Sequence, residues 1–313
     1  MKRLPIDSQE PFPLAADQWR ADEPMAKHTT FQIGGPADLM AWPAGPEDLA
    51  LVLAWARKEG VPVFILGLGS NLLVSDRGMD GLVINMARFN QLTWPEGTLC
   101  LAAAGLPLAE VSQAAQAKGM TGLEFACGIP GSLGGAVFMN AGAYDGEMRD
   151  VIEWVEVMDG QGRVRRLTNE EMAFAYRHSR LKEEPLYCLA AALRLKPGDP
   201  ADIALRMAEL THKRESRQPL DMPSAGSVFK RPPGHFAGPL IIESGLQGYT
   251  LGGAQVSMKH AGFIVNIGGA TAQDVLDLIS HIQQVVAEKT GITLETEVRP
   301  VGRPMDGAPS TKK

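Results

Sequence analysis

The chain is poor in the residues that mark specialised classes. Its 313 residues include three cysteines, Cys100, Cys127 and Cys188, and none of them stands in a CxxC spacing. That excludes a disulfide framework and a structural zinc site, and it points to a reducing compartment. Basic charge is also scarce: 30 Lys and Arg against 36 Asp and Glu leave a net charge of −6. A general nucleic-acid binder carries a basic footprint, so that class is excluded, although a local basic cluster could still hold a small anion. No window reaches the roughly 18 apolar residues of a membrane span. The opening MKRLPIDSQEPFPLAAD is broken by Pro and Asp, which rules out an uninterrupted signal-peptide core. Neither membrane insertion nor a nucleic-acid partner is expected, and the expected location is cytoplasmic.

Glycine, by contrast, is plentiful, with 34 in all. Six fall between Glu124 and Gly146: Gly128, Gly131, Gly134, Gly135, Gly142 and Gly146. Ordering glycine is entropically costly, so a cluster signals unusual dihedrals or close approach of another group to the backbone. Small neighbours such as Ser132 and Ala136 leave peptide N–H groups uncovered, which suits a phosphate or a flat heteroaromatic ring. The alternative is a tight turn between two buried strands. A second stretch, Gly67-Leu68-Gly69-Ser70-Asn71, follows the apolar run Val61–Leu66. A Rossmann loop would open a helix, whereas Leu72-Leu73-Val74 reads as a strand, so a Rossmann fold is rejected. A phosphate loop between strands survives, with Ser70 and Asn71 as side-chain donors.

Hydrophobic periodicity supplies the frame. Residues 1–24 carry four prolines and read as an irregular arm. A short strand is expected from His28 into the Gly34-Gly35-Pro36 turn, and another at Leu39–Trp42. Helices are expected at Pro46–Lys58, at Pro107–Lys118 with Gly119 as its C-cap, from Asp199-Pro200 onward, and at Thr271–Glu288. Strands are expected at Gly81–Met86, Thr98–Ala104, Tyr187–Leu195, His260–Ile267 and Leu294–Val301. Trp154–Met158 and Val164–Leu167 form a hairpin across Asp159–Gly162. Thr168 or Asn169 caps a short helix through Phe174. Lys196-Pro197-Gly198-Asp199-Pro200 marks a domain boundary, and Met305–Lys313 reads as a polar tail. The order is mixed rather than strictly alternating, so the class is α+β.

Polar groups recur in four places. Arg177 follows the expected short helix. Ser227 lies in a Gly/Pro-rich loop, where a serine is ordinarily a turn residue. Glu295, Glu297 and Arg299 share one face of an expected strand, as a catalytic set or a solvated charge pair. Lys213, Arg214, Arg217, Lys230 and Arg231 form a basic cluster that could offset a diphosphate. Equally, the first three could be the solvated end of a helix. No Gly-x-Ser-x-Gly elbow is present, which weakens a serine-hydrolase reading.

Seven segments then fall in order over roughly residues 25–302: Thr-Thr-Phe-x-Ile-Gly-Gly-Pro-Ala, Gly-x-Gly-Ser-Asn-Leu-Leu, Gly-Ile-Pro-Gly-Ser-x-Gly-Gly-Ala, Asn-Ala-Gly-Ala-Tyr, Tyr-Arg-x-Ser, Ala-Gly-Ser-x-Phe and Glu-Val-Arg. Each is weak alone; in register they resemble the UDP-N-acetylenolpyruvoylglucosamine reductases, the MurB flavoenzymes of peptidoglycan synthesis, and in particular their shorter subgroup. The resemblance implies an FAD-binding domain of the vanillyl-alcohol-oxidase (PCMH) type over 25–198, in subdomains of about 25–88 and 89–198. A smaller α+β substrate domain over 199–302 and a tail over 303–313 would follow. It implies FAD as cofactor, NADPH as co-substrate, the enolpyruvyl ether of UDP-N-acetylglucosamine as substrate, and a monomer. Arg177, Ser227 and Glu297 would be catalytic. Ile33, Gly67, Gly69, Ser70, Asn71, Gly131, Ser132, Gly134, Gly135, Asn140 and Gly142 would hold the cofactor. Arg217, Lys230, Arg231, His260 and Arg299 would face substrate. Arg231 stands where many members carry Asn, and a buried structural role competes for His260.

Overall fold

The computed structural model describes residues 11–305, so residues 1–10 of the expected arm and 306–313 of the expected tail lie outside the described residues. The chain packs into two units that are not consecutive in sequence. The first takes residues up to 21, 39–68 and 81–214; the second takes 22–38, 69–80 and 215 onward. Each has its own hydrophobic core.

Two larger sheets are built mainly from the first unit. One has four strands, in the order Trp19–Pro24, Pro36–Ala41, Met79–Asn85, Val63–Leu66, and its last pair is parallel. The part of the expected arm from Trp19 to Pro24 is thus a strand; its prolines stand at the strand's end and outside it. The other sheet is antiparallel, in the order Val164–Thr168, Ile152–Asp159, Leu186–Arg194, Leu99–Ala103, Leu92–Glu96. The hairpin across Asp159–Gly162 forms as expected, with Asp159 accepting from the Gln161 and Arg163 N–H groups. Helix α1 (Pro46–Glu59) starts with Pro at its first turn and stops at left-handed Gly60; α2 (Leu108–Ala117) ends before Gly119, also left-handed. Both follow the apolar periodicity.

Two further helices follow. Helix α3 (Leu133–Met139) occupies the glycine-rich stretch, where no helix was expected, because Ser132 caps it and its glycines pack rather than bend. The expected short helix through Phe174 is instead a run of turns, although Thr168 and Glu171 do exchange cap-like hydrogen bonds. Helix α4 (Pro200–Arg217) begins where Asp199 Oδ1 accepts from the N–H groups of Ala201 and Asp202.

The second unit builds an antiparallel sheet in the order Ser224–Ser227, Phe263–Asn266, Ala254–Val256, Thr250–Leu251. Helices α5 (Ala237–Glu243) and α6 (Ala272–Thr290) supply the buried Leu240, Ile241, Val275, Leu278, Ile279 and Ile282. The segment from Met25 is a 3₁₀ turn and loop rather than a strand, with Gln32 at φ 56, and the strand begins only at Pro36. The expected last strand shrinks to Arg299–Val301, paired in parallel with Leu72–Val74, plus an isolated bridge of Thr296 to Phe229.

The start of α6 is tied twice. Thr271 and Asp274 form a reciprocal capping box, and the Asp76 carboxylate accepts from the N–H groups of Ala272 (2.8 Å) and Gln273 (3.2 Å). An anion on the first-turn amides also meets the positive end of the helix dipole. Asp76→Ala is therefore expected to destabilise the protein by about 1–2 kcal/mol, read as a lowered urea midpoint with unchanged slope.

Candidate functional site

In the first unit the two glycine-rich stretches meet. A Cβ on Gly67 would collide with Ser132 Oγ, so the bare backbone there accommodates the close approach of the serine. Gly131 has φ 124, and its carbonyl accepts from the Leu108 N–H (2.9 Å). Ser132 is buried, and its Oγ accepts from the Gly135 N–H (3.3 Å). The Gly134 N–H donates to the Ala104 carbonyl (2.8 Å), and a Cβ there would lie 2.9 Å from Ala104 Cβ. The expectation of uncovered amides is thus corrected at Gly134 and Gly135. Their N–H groups are used inside the protein, and at Gly134 a small residue is required by the contact of α3 with Ala104.

Arg177 sits in a turn in which Ala175 and His178 exchange both backbone hydrogen bonds. Its φ is 54, uncommon for a residue with a side chain. Its Nη2 donates to the Gly142 carbonyl (3.3 Å), and its guanidinium lies 4.8 Å from the Tyr176 ring centre. Asn140, wholly buried, lies at the end of α3 and bonds to Ala175 and Arg149.

The basic cluster divides. Lys213 pairs with Glu209 on the surface, as a solvated helix end would. Arg214 does not: its side chain is largely buried, burial pushes its pKa down, and Nε and Nη1 have no hydrogen-bond partner although Tyr144 bonds to the group. It lies against Gly128, where a Cβ would stand 3.0 Å from Arg214 Cδ. The sequence held the signal, since Ile203, Met207, Leu210 and Arg214 fall on one helical face and the first three are core residues.

In the second unit, backbone pairing gathers Ser227, Asn71, Glu297 and Arg299. Ser227 is exposed at the end of its strand and pairs with Phe263. The neighbouring Val228 carbonyl accepts from the N–H groups of Glu297 (2.7 Å) and Val298 (3.3 Å). Asn71 links on: its Nδ2 donates to the Glu297 carbonyl (3.3 Å), and its own carbonyl accepts from the Arg299 N–H (3.0 Å). Burial pushes the Arg299 guanidinium down in pKa. A Cβ on Gly69, at φ 63, would collide with the His28 carbonyl.

Other expected residues stand apart or are already engaged. Ile33 is in the second core, and its N–H and carbonyl both bond to Thr29 Oγ1. Lys230 Nζ pairs with Glu295 (3.0 Å), Arg231 lies 3.9 Å over the Phe236 ring, and Arg217 is exposed at the end of α4. A cleft of about 530 Å³ between Glu124, Tyr144, Asp199 and Arg206 contains none of the expected site residues.

Comparison with known proteins gives this arrangement a class. Residues 37–168 match the FAD binding domain family, which places the chain among FAD-binding proteins. Residues 218–301 match the C-terminal domain of UDP-N-acetylenolpyruvoylglucosamine reductase. Reductases of that name from Caldanaerobacter subterraneus subsp. tengcongensis and Pediococcus pentosaceus are 50% and 49% identical; each alignment covers 90% of this chain and 93% of the relative. The crystal structure of the reductase from Thermus caldophilus superposes with a TM-score of 0.77 at 37% identity, covering 90% of this chain and 98% of that one. The chain belongs to the UDP-N-acetylenolpyruvoylglucosamine reductase family. The expected α+β class, with an FAD-binding domain ahead of a smaller domain, is borne out. The residues fit FAD on an observation of their own: the buried, unpartnered Nε and Nη1 of Arg214 stand beside the glycine-rich stretch, where a ligand oxygen would satisfy them.

His260 is held neutral. Its Nδ1 accepts from the Gly262 N–H (3.1 Å), its ring meets Phe263 edge-on, and burial lowers its pKa from 6.5. Below that ordinary value the unfolded chain binds the proton more readily, so stability falls as pH falls through this window. Between about pH 8 and pH 5.5 the melting temperature is expected to fall less in His260→Asn, whose Oδ1 can still accept from Gly262, than in the parent.

Proposed function

We propose that this chain reduces the enolpyruvyl ether of UDP-N-acetylglucosamine enolpyruvate to UDP-N-acetylmuramate, with FAD as cofactor and NADPH as reductant, in peptidoglycan precursor synthesis. The observation that carries the reading is half-identity to reductases of that name along nine-tenths of the chain. The reading takes the enzyme as a cytoplasmic monomer serving wall synthesis, and through it cell shape and division.

Bound FAD supplies the passage of a hydride from NADPH to C3 of the enolpyruvyl group. The glycines at 67, 69 and 131, with Ser70, Asn71, Ser132 and Gly142, would hold the cofactor, Gly134 and Gly135 would keep α3 slim beside it, and Arg214 would turn Nε and Nη1 to its oxygens. Once C3 has gained a hydride, negative charge spreads over C2 and the substrate carboxylate. Arg177 would hold that charge. A guanidinium fixed before the reaction stabilises it without reorganisation, which is ordinarily the largest catalytic contribution. Its left-handed backbone and its bond to the Gly142 carbonyl support such fixation. Ser227 would donate the proton that C2 takes up, recovering one from water afterwards. Its exposed hydroxyl, on a strand end whose neighbour binds the Glu297 N–H, supports that role. Glu297 would orient the arginine or share a proton with the substrate carboxylate. Arg217, Lys230, Arg231, His260 and Arg299 would face the nucleotide sugar.

Stopped-flow spectroscopy separates these roles. Ser227→Ala should keep its flavin and its reduction by NADPH but slow reoxidation by substrate by about 10²–10⁴-fold, the usual range for a general acid. Unchanged reoxidation would remove Ser227 from the mechanism. Arg177→Lys should also lose reoxidation rate, because a point charge does not reproduce a planar fork. Parental turnover in that variant would remove Arg177.

A further inference from the structure

The turn that carries Arg177 is tied to the end of α3 from both sides. On one side Asn140, itself left-handed at φ 44, donates from Nδ2 to the Ala175 carbonyl (3.1 Å). Its Oδ1 accepts from the Arg149 N–H (2.9 Å), so both ends of the amide are engaged within the protein. On the other side the buried Ser179 donates from Oγ to the Phe138 carbonyl (2.9 Å). Between the ties, Ala175 and His178 exchange hydrogen bonds of 3.2 and 3.0 Å, and Lys182 Nζ donates to the Arg177 carbonyl (2.7 Å). A residue with a side chain persists at positive φ only where its surroundings over-determine it. Asparagine suits the helix end because it tolerates the left-handed region and brings an amide that bridges two backbone groups.

We propose that Asn140 is a positioning residue for Arg177: its amide holds the Ala175–His178 turn in the strained form that sets the direction of the guanidinium. This role differs from the cofactor contact that family resemblance suggests for Asn140. The catalytic consequence rests on Arg177 acting on the substrate; the effect on the turn does not.

Asn140→Asp is the informative variant, because it keeps the shape and the acceptor for Arg149. When ionised it sets an oxygen without a proton against the Ala175 carbonyl; when protonated it can donate again. Hydrogen-exchange mass spectrometry should show peptides spanning 174–180 exchanging at least about tenfold faster at pH 8, with peptides of the antiparallel sheet unchanged. Unchanged exchange there overturns the proposal whatever the enzyme catalyses. Reoxidation by the enolpyruvyl sugar should slow by about tenfold or more while reduction by NADPH stays within about twofold, and the deficit should shrink as pH falls. In an Arg177→Lys background the same substitution should cost less than about threefold. Equal losses in both half-reactions, or an undiminished loss in that background, would mean a general structural role and overturn it. Parent protein that binds flavin yet never reduces the enolpyruvyl sugar would sink the proposed function while leaving the exchange result to judge Asn140. If Asn140→Asp does not fold, Ser179→Ala, which removes the opposite tie to the Phe138 carbonyl, carries the same exchange, half-reaction and double-mutant expectations with no pH dependence, and the corresponding outcomes refute it.

Discussion

The constraint on which both units depend is the close approach of neighbouring groups to backbone at positions where an added Cβ would collide. In the first unit Gly67 lies against Ser132, Gly134 against Ala104, and Gly142 against the Gly146 carbonyl, where a Cβ would stand 2.6 Å away. In the second, Gly69 lies against the His28 carbonyl and Gly35 against that of Asp76. Side chains at these points would push apart the loops that bring the expected site residues to their places. Chemical groups at the site are consequently set by main-chain hydrogen bonds more than by side-chain packing, as the shared Val228 carbonyl shows for Glu297 and Val298.

Much of the frame was legible in the sequence because it is local. Helices α1, α2, α4 and α6 follow from apolar periodicity and explicit stop and start signals, and the 152–168 hairpin from its Asp-Gly turn. Helix α3 was not legible, since Gly134-Gly135 lowers its propensity and contact with Ala104, far back in the chain, is what favours it. The strand Trp19–Pro24 was hidden by prolines and by an exposed, charged pattern. The interleaving of segments between two cores was also beyond sequence reading, because nothing in a residue's neighbours reports which distant core it joins.

The site divides along the same line. Motif order pointed to the loops around Gly67, Gly131, Arg177, Ser227 and Glu297, and fixed the family. It did not separate groups free to meet a ligand from groups already engaged: Asn140 and Ile33 bond inward at every atom named above, whereas Arg214 hides two unpartnered nitrogens on a face that periodicity alone marks as buried. Hydrogen-bond accounting, unlike residue type, tells these cases apart.

The second core has a consequence for how the protein is made. Phe31, Ile33 and Leu73 pack with residues from Ala225 to Val298. A ribosome that has just emitted these residues must add the long intervening stretch before their partners exist, many seconds at roughly 5–20 residues per second. Throughout that interval those three apolar side chains have no native burial, while the other core can close much sooner. The emerging polypeptide therefore carries sticky segments around Phe31, Ile33 and Leu73 until the stretch from Ala225 to Val298 has been made.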